Sequence, residues 1–330
     1  MDQHKVPKLS LKHFAGQNGE VWTYDKRSGK SWPASPARTG VEAHYYSIER
    51  EDGTMDTGLE AEMSKLEGEA APIYEKLVAG ELPRGTDRDI FGHFLGLMQV
   101  RTPAMRRMAA DIHKFELETR MAFRAQHPET FKETLKRLAA DGVDVSDPKF
   151  IRKSLLDMST HDLVIPKSWV LTVIGHGEKY ANVFLQMKWS LMRARHHYFI
   201  TCDTPIFRAV DPKTVHRFYG DHGFLNKTAE VSFPLSTKRM LMMHWEVEAP
   251  YEVTIPKQCV ENENLKRAQC AERELYAHIE HKHLSRLAAQ FKDVHPLVRK
   301  SGFGGSTGFA SVKVPRRWPK DKPVSNRMKA

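Results

Sequence analysis

Apolar residues recur at steps of three or four from Gly58 onwards, which predicts helices in the middle of the chain. Pro72 falls within the first helix, so we expect a kink or break there. A longer helical section follows Asp87, with a second kink expected at Pro103. Two shorter helices are predicted in HPETFKETLKRLAADG and SDPKFIRKSLLDM.

On either side of this region the pattern is typical of β-strands. VWTYD near the N-terminus, and later WVLTVIG (169–175), FLQMKWSLMRA (184–194) and HYFITCD (197–203), have strand composition. AEVSFPLS and RMLMMHWEV predict a hairpin, and a long helix is expected over 262–291. The predicted class is α+β, with an N-terminal β segment, central helices, an antiparallel sheet and a long C-terminal helix.

The positive charge of the chain is concentrated at its C-terminal end. The net charge is +10, and the segment 292–330 contributes +8 of it through ten Lys or Arg against two Asp. We therefore predict one α+β body over 1–296 and a basic flexible tail over 297–330. Nucleic acid is the candidate partner of the tail, whereas the body is close to neutral.

The three cysteines, Cys202, Cys259 and Cys270, contain no CxxC pair, and their odd number argues against a disulfide framework. The N-terminus has no apolar signal core, and no window approaches the roughly 18 apolar residues of a membrane span. We expect a cytoplasmic protein without membrane contact, and the sequence leaves its oligomeric state undetermined. The sequence contains neither a P-loop motif nor an HExxH motif, so neither a P-loop nucleoside triphosphatase nor a zinc peptidase is indicated.

Five short motifs occur in order: HKVPKLSLKHF, LMQVRTPAMR, FITCDTP, FPLS and ENLKRA. Together they resemble the bacterial family catalogued as domain-of-unknown-function family 4238, over roughly residues 4 to 280. The resemblance implies a microbial protein with relatives among anti-phage defence genes. Defence effectors are often nucleases, and that inference is by association.

The family pattern matches the positions His4, Pro7, Phe14, Arg101, Pro103, Arg106, Asp203, Pro205, Pro234, Leu235, Ser236 and Asn264. Cys202 and Thr204 flank the acid where relatives often carry Ser and Asn. The acid and its proline are retained.

Asp203 stands at the end of an apolar strand, which suits either a catalytic carboxylate or the side chain of a turn. His4 is a candidate base, although a histidine in such a segment also anchors strands by hydrogen bonds. Arg101 and Arg106 could together clamp a phosphate, or pair with carboxylates of the first helix.

Glu60 and Glu67 lie seven residues apart on one helix face, where they could hold a divalent metal together with Asp203. A solvated acidic face is the alternative. The cofactor is therefore unknown, with a divalent metal as an open choice. Ser236 and Asn264 are further site candidates.

These features favour a nuclease-like anti-phage defence effector acting on nucleic acid. Asp203 and His4 would be catalytic in it, and Arg101 with Arg106 would contact phosphate. The alternative is a non-enzymatic sensor or binding module for a phage component or a nucleotide. Catalysis requires Asp203, His4 and Arg101 to converge in one cleft.

Overall fold

The structure is a computed structural model that describes residues 2–157, 164–216, 223–245, 251–294, 301–303 and 309–311. Its α-helices are α1 Lys8–Leu11, α2 Gly58–Ala79, α3 Gly85–Val100, α4 Pro103–Gln126, α5 Pro128–Ala140, α6 Pro148–Leu156, α7 Lys167–Leu171, α8 Gly177–Gln186, α9 Lys257–Cys270 and α10 Lys282–Gln290. Its strands are β1 Asp2–His4, β2 Val21–Asp25, β3 Ser31–Ala34, β4 Val41–Ala43, β5 Ile48–Glu49, β6 Met55–Asp56, β7 Lys188–Ala194, β8 Thr201–Cys202, β9 Phe207–Ala209, β10 Glu230–Pro234, β11 Arg239–His244, β12 Glu252–Ile255, β13 Glu274–Ala277, β14 Ser301–Phe303 and β15 Phe309–Ser311.

Two larger sheets organise the strands. The five-stranded sheet has the order β12-β7-β11-β10-β9, and its pairs are antiparallel except β12 with β7. The four-stranded sheet has the antiparallel order β3-β2-β13-β8. Strand β1 pairs separately with β4, with His4 opposite Val41. The α+β class predicted from the sequence is confirmed.

The chain divides into two compact units. One comprises 1–110 and 164–296, and the other comprises 111–163 and 297–330. Most of 297–330 lies outside the described residues. The division into a body over 1–296 and a flexible tail therefore stays a prediction.

The main core of the first unit lies where α2 and α3 pack on the five-stranded sheet. Tyr74, Phe91, Phe94 and Phe233 meet there in edge-to-face pairs whose ring centroids are 5.9 to 6.5 Å apart. Helix α3 also packs closely on α8, and a Cβ at Gly96 would collide with the backbone oxygen of Gly177. This contact requires glycine in α3.

Local patterns predict some elements well and others only in part. The hairpin β10–β11 and strand β2 are confirmed, whereas the kink expected at Pro103 is a break between two helices, α3 and α4. Helix α2 instead continues through Pro72. The apolar run 169–175 is helical, because a short apolar run suits a buried helix as well as a strand.

The region 262–291 contains helices α9 and α10 separated by β13. Leu275 and Tyr276 of β13 pair with β2 on one side and β8 on the other, and both are buried. Pairing on both edges favours a strand over local helical preference. Among the described residues, no helix combines the length and apolar character needed to cross a bilayer.

Candidate functional site

Asp203 directly follows β8 and is 0% exposed. Its Oδ1 accepts the backbone N–H of Glu272 at 2.8 Å, and its Oδ2 accepts those of Arg273 at 2.7 Å and Glu274 at 3.0 Å. The backbone N–H of Asp203 donates in turn to Glu274 O at 3.0 Å. We call Asp203 with the backbone of 272–274 the acidic clamp, because it fixes the turn between α9 and β13.

Charged side chains surround the acidic clamp. Lys26, 1% exposed, donates to the carbonyl of Ala271 at 2.6 Å, one residue before the clamped segment. Glu274 Oε2 accepts from Lys5 Nζ at 3.0 Å and from the Tyr276 hydroxyl at 2.7 Å. The clamp therefore belongs to a buried polar network whose members are hydrogen bonded to one another.

Burial raises the pKa of Asp203 to about 6, because removing a carboxylate from water disfavours its charged form. The three backbone N–H groups oppose this shift, whereas the nearby charge of Glu274 adds to it. A carboxyl group that titrates near neutral pH suits acid–base chemistry. Here, however, the group is fully covered and already bonded to the backbone.

Arg101 is the C-cap residue directly after α3 and is 1% exposed. Its Nη1 pairs with Glu67, its Nη2 donates to the carbonyl of His4 at 2.6 Å, and its Nε donates to the Tyr46 hydroxyl at 3.2 Å. The Tyr46 hydroxyl donates to Arg101 O at 3.0 Å. We call this set the arginine clamp, because the buried guanidinium uses its donors to hold β1 and α2.

His4 joins the two clamps through the backbone. Its carbonyl binds Arg101, and the next residue, Lys5, binds Glu274 of the acidic clamp. The ring Nε2 donates to the carbonyl of Pro36 at 3.3 Å, since a carbonyl can only accept. Burial lowers the pKa of His4, so its ring favours the neutral form.

Arg106 and Glu60 lie beside the arginine clamp. Arg106 donates to the carbonyl of Tyr45 at 3.2 Å, and its guanidinium stacks 3.9 Å from the centre of the Tyr45 ring. Glu60 has a buried Oε2 without a hydrogen-bond partner among the described residues. Burial raises the pKa of Glu60, and the charge of Arg101 opposes that shift.

Ser236 and Asn264 also bind backbone. Ser236 Oγ accepts the N–H of Lys238 at 3.2 Å and of Arg239 at 3.0 Å, which closes the turn of the β10–β11 hairpin. Asn264 on α9 accepts from Ile200 N–H at 3.0 Å and donates to Tyr198 O at 3.0 Å. Both side chains fix the path of the chain.

The structure thus brings His4, Arg101 and Asp203 into one continuous network, but they form no open cleft. Their polar atoms bind neighbouring protein groups, and Asp203 and Arg101 are almost completely covered. Their catalytic and phosphate-binding roles stay predictions. Across the described ranges, no group of three or more His, Cys, Asp or Glu side chains is arranged to hold a metal ion.

A different pair of arginines faces solvent. Arg193, Arg195 and Thr254 line a surface depression of about 340 Å³, where β7 runs parallel to β12. Both guanidiniums are exposed, and neither makes a hydrogen bond or ion pair within the part of the chain that the structure describes. In the sequence they form the RAR of residues 193–195, in which Arg193 lies on β7 and Arg195 follows its last residue, Ala194.

Comparison with known proteins gives one match. A family model described as "Protein of unknown function (DUF4238)" matches residues 2–281 of the 330-residue chain. No curated protein and no solved structure matches it. Because the family model covers most of the chain, the family resemblance is confirmed, and the protein belongs to the DUF4238 family of unknown function.

Proposed function

We propose that this protein is a non-enzymatic binding module for a small phosphate-bearing ligand of nucleotide size. The observation that carries the proposal is the depression with two exposed arginines, Arg193 and Arg195, that lack partners among the described residues. A guanidinium presents paired N–H donors that match the oxygens of a phosphate. Two guanidiniums at one depression suit a ligand with more than one phosphate.

The size of the depression and the charge of the chain favour a small ligand. A volume of about 340 Å³ falls at the lower end of the range for small-molecule sites. The charge outside 292–330 is close to neutral, which disfavours a long polyanion at this surface. Nucleic-acid contact through the basic residues of 297–330 is a separate proposal.

The nuclease and anti-phage defence hypotheses stay predictions beside this one. Nuclease chemistry at Asp203 would require its carboxylate to leave three backbone N–H groups and reach solvent. Ligand binding at Arg193 and Arg195 requires no such rearrangement. The binding function is therefore the simpler one for this geometry.

The test is titration of the full chain with a fluorescent nucleoside triphosphate and with inorganic tripolyphosphate. We expect Arg193→Ala and Arg195→Ala each to weaken binding about tenfold, the loss of one charge-assisted contact. The lysine variants should recover only part of it, because lysine lacks the planar pair of donors. Arg286→Ala is the matched control, since Arg286 is exposed on α10.

Equal affinity of a variant with both Arg193→Ala and Arg195→Ala and of the Arg286→Ala protein would overturn the proposal, as would the absence of binding to either probe. Oligonucleotide binding that disappears on deletion of 297–330 would assign nucleic acid to the tail. The nuclease hypothesis is tested in parallel by incubating DNA and RNA with Mg²⁺. Cleavage by the wild type but not by Asp203→Asn would support it.

A further inference from the structure

Two cysteines that lie far apart in the sequence meet beside the acidic clamp. Cys202 ends β8 and Cys270 ends α9, and their sulfurs are 3.7 Å apart. Each sulfur also lies 3.1 Å from the carbonyl oxygen of Thr204, and each thiol has one hydrogen to direct at that oxygen or at the other sulfur. The sulfurs are therefore in contact, and a disulfide would require them to close from this distance to the bonding distance of about 2.05 Å.

The two thiols differ in accessibility and in charge environment. Cys202 is fully buried, whereas Cys270 is partly exposed. Burial opposes ionisation of Cys270, but its hydrogen bond with Cys202 and the positive charge of Arg267 outweigh it and lower the pKa of the thiol. Burial raises the pKa of Cys202. Cys270 is thus the better nucleophile, and Cys202 is placed to resolve the product.

Arg267 adds a second observation. It is 0% exposed, and its Nε and Nη1 have no hydrogen-bond partner among the described residues. Its Nη2 donates to Ser232 Oγ at 2.6 Å and to the Glu263 carboxylate at 3.3 Å, and lies 3.7 Å from Met240 Sδ. Glu263 is the carboxylate partner of this buried cation, and the positive charge of Arg267 also favours the thiolate form of Cys270.

We propose that Cys202 and Cys270 form a redox-active pair that a small-molecule disulfide converts to an intramolecular disulfide. In the first step the Cys270 thiolate attacks one sulfur of the external disulfide and releases one thiolate, leaving a mixed disulfide. In the second, Cys202 attacks the Cys270 sulfur and releases the second thiolate. Two protein thiols and one external disulfide give one protein disulfide and two external thiols, which receive the two protons.

The new bond would link the end of β8, directly before Asp203, to the end of α9, two residues before Glu272. It would also remove the thiol hydrogens that can bond the Thr204 carbonyl. Oxidation would therefore act on the turn that the acidic clamp fixes. This inference is independent of the ligand proposed at Arg193 and Arg195.

The test uses the native full chain, equilibrated with mixtures of glutathione and glutathione disulfide and then alkylated. Mass spectrometry after proteolysis without reduction should identify a peptide linking Cys202 to Cys270. The Cys259→Ser variant should give the same product. Cys202→Ser should stop at a glutathione adduct on Cys270, since no resolving thiol remains.

Cys270→Ser is the matched reverse case. We expect at least tenfold slower adduct formation at the buried Cys202 in that variant, with thermal unfolding used to show that it is folded. Full alkylation of Cys202 and Cys270 in the wild type after equilibration with glutathione disulfide would overturn the proposal. A product that links Cys259 to either residue would overturn it too.

Discussion

The arginine clamp and the acidic clamp both bury a charge, but they compensate for it differently. Arg101 is paired with a carboxylate, Glu67, besides binding a carbonyl and a hydroxyl. Asp203 hydrogen-bonds only backbone N–H groups and the Thr204 hydroxyl among the described residues. A partner of opposite charge favours the charged form of a buried group more strongly than neutral hydrogen-bond donors do.

The pKa shifts follow this difference. Burial opposes the charge of Arg101, but Tyr46 and Glu67 outweigh it and raise its pKa above the usual value. Burial prevails at Asp203 and raises its pKa to about 6. The charge of the arginine clamp is therefore permanent, and that of the acidic clamp depends on pH.

The largest expected effect is the loss of the arginine clamp. Arg101→Met leaves Glu67, the His4 carbonyl and the Tyr46 hydroxyl without their donor, so we expect the free energy of unfolding to fall by about 4 kcal/mol. Urea unfolding followed by circular dichroism measures it. Arg106→Met, which removes a half-buried guanidinium on Tyr45, should cost about 1 kcal/mol. If Arg101→Met and Arg106→Met lowered the free energy of unfolding by similar amounts, the buried Arg101 would contribute no more to stability than the half-buried Arg106.

The pH dependence of the acidic clamp comes next. Below pH 4 the Asp203 carboxyl is protonated in the folded and unfolded states. Between pH 4 and 6 the unfolded state ionises while the folded state keeps its proton, so stability falls as pH rises. Above pH 6 the carboxyl is ionised in both states, so its contribution to the free energy of unfolding no longer changes with pH. Over this window Asp203 should remove about 3 kcal/mol from the free energy of unfolding.

This effect is isolated by comparing the wild type with Asp203→Asn in urea at pH 3.5, 5 and 6.5. Other titrating groups are common to both proteins and cancel in the difference. The stability of the wild type relative to the variant should decrease with rising pH. A flat difference would show that the three N–H groups hold the pKa of Asp203 at its ordinary value.

The sequence predicts the elements of this fold better than their connections. The hairpin and the central helices follow from local periodicity. Strand β13 does not, because it exists through pairing with β2 and β8, which are distant in the chain. The same reason explains why the meeting of Cys202 and Cys270 was not predicted from three unpaired cysteines.

The site residues could likewise be identified from the sequence, but their contacts could not. Short motifs identified Asp203, Arg101 and Asn264, and the resemblance drew attention to them. Whether such a side chain faces solvent or a buried backbone group depends on tertiary contacts, which a motif does not contain. Arg193 and Arg195 are outside every motif, and only the structure shows that they share a depression.

Asn264 extends the comparison of the two clamps to a neutral side chain that also binds backbone groups. Asn264→Ala removes two hydrogen bonds to the backbone of Tyr198 and Ile200, so we expect a loss of about 2 kcal/mol. The loss should not vary with pH, unlike that at Asp203. Asn262→Ala on the exposed side of the same helix should change stability by less than about 0.5 kcal/mol. Equal effects of the two changes would remove Asn264 from the set of backbone-binding residues.

Ser236 gives the smallest effect, because a hydroxyl is the weakest acceptor among these groups. Ser236→Ala leaves the N–H groups of Lys238 and Arg239 without the side-chain oxygen, and we expect a cost of about 1 kcal/mol in urea unfolding. Thr237→Ala is the control, since the Thr237 hydroxyl makes no hydrogen bond within the described residues. If Ser236→Ala cost as much as Arg101→Met, the charge of the side chain would not determine how strongly these residues hold the backbone.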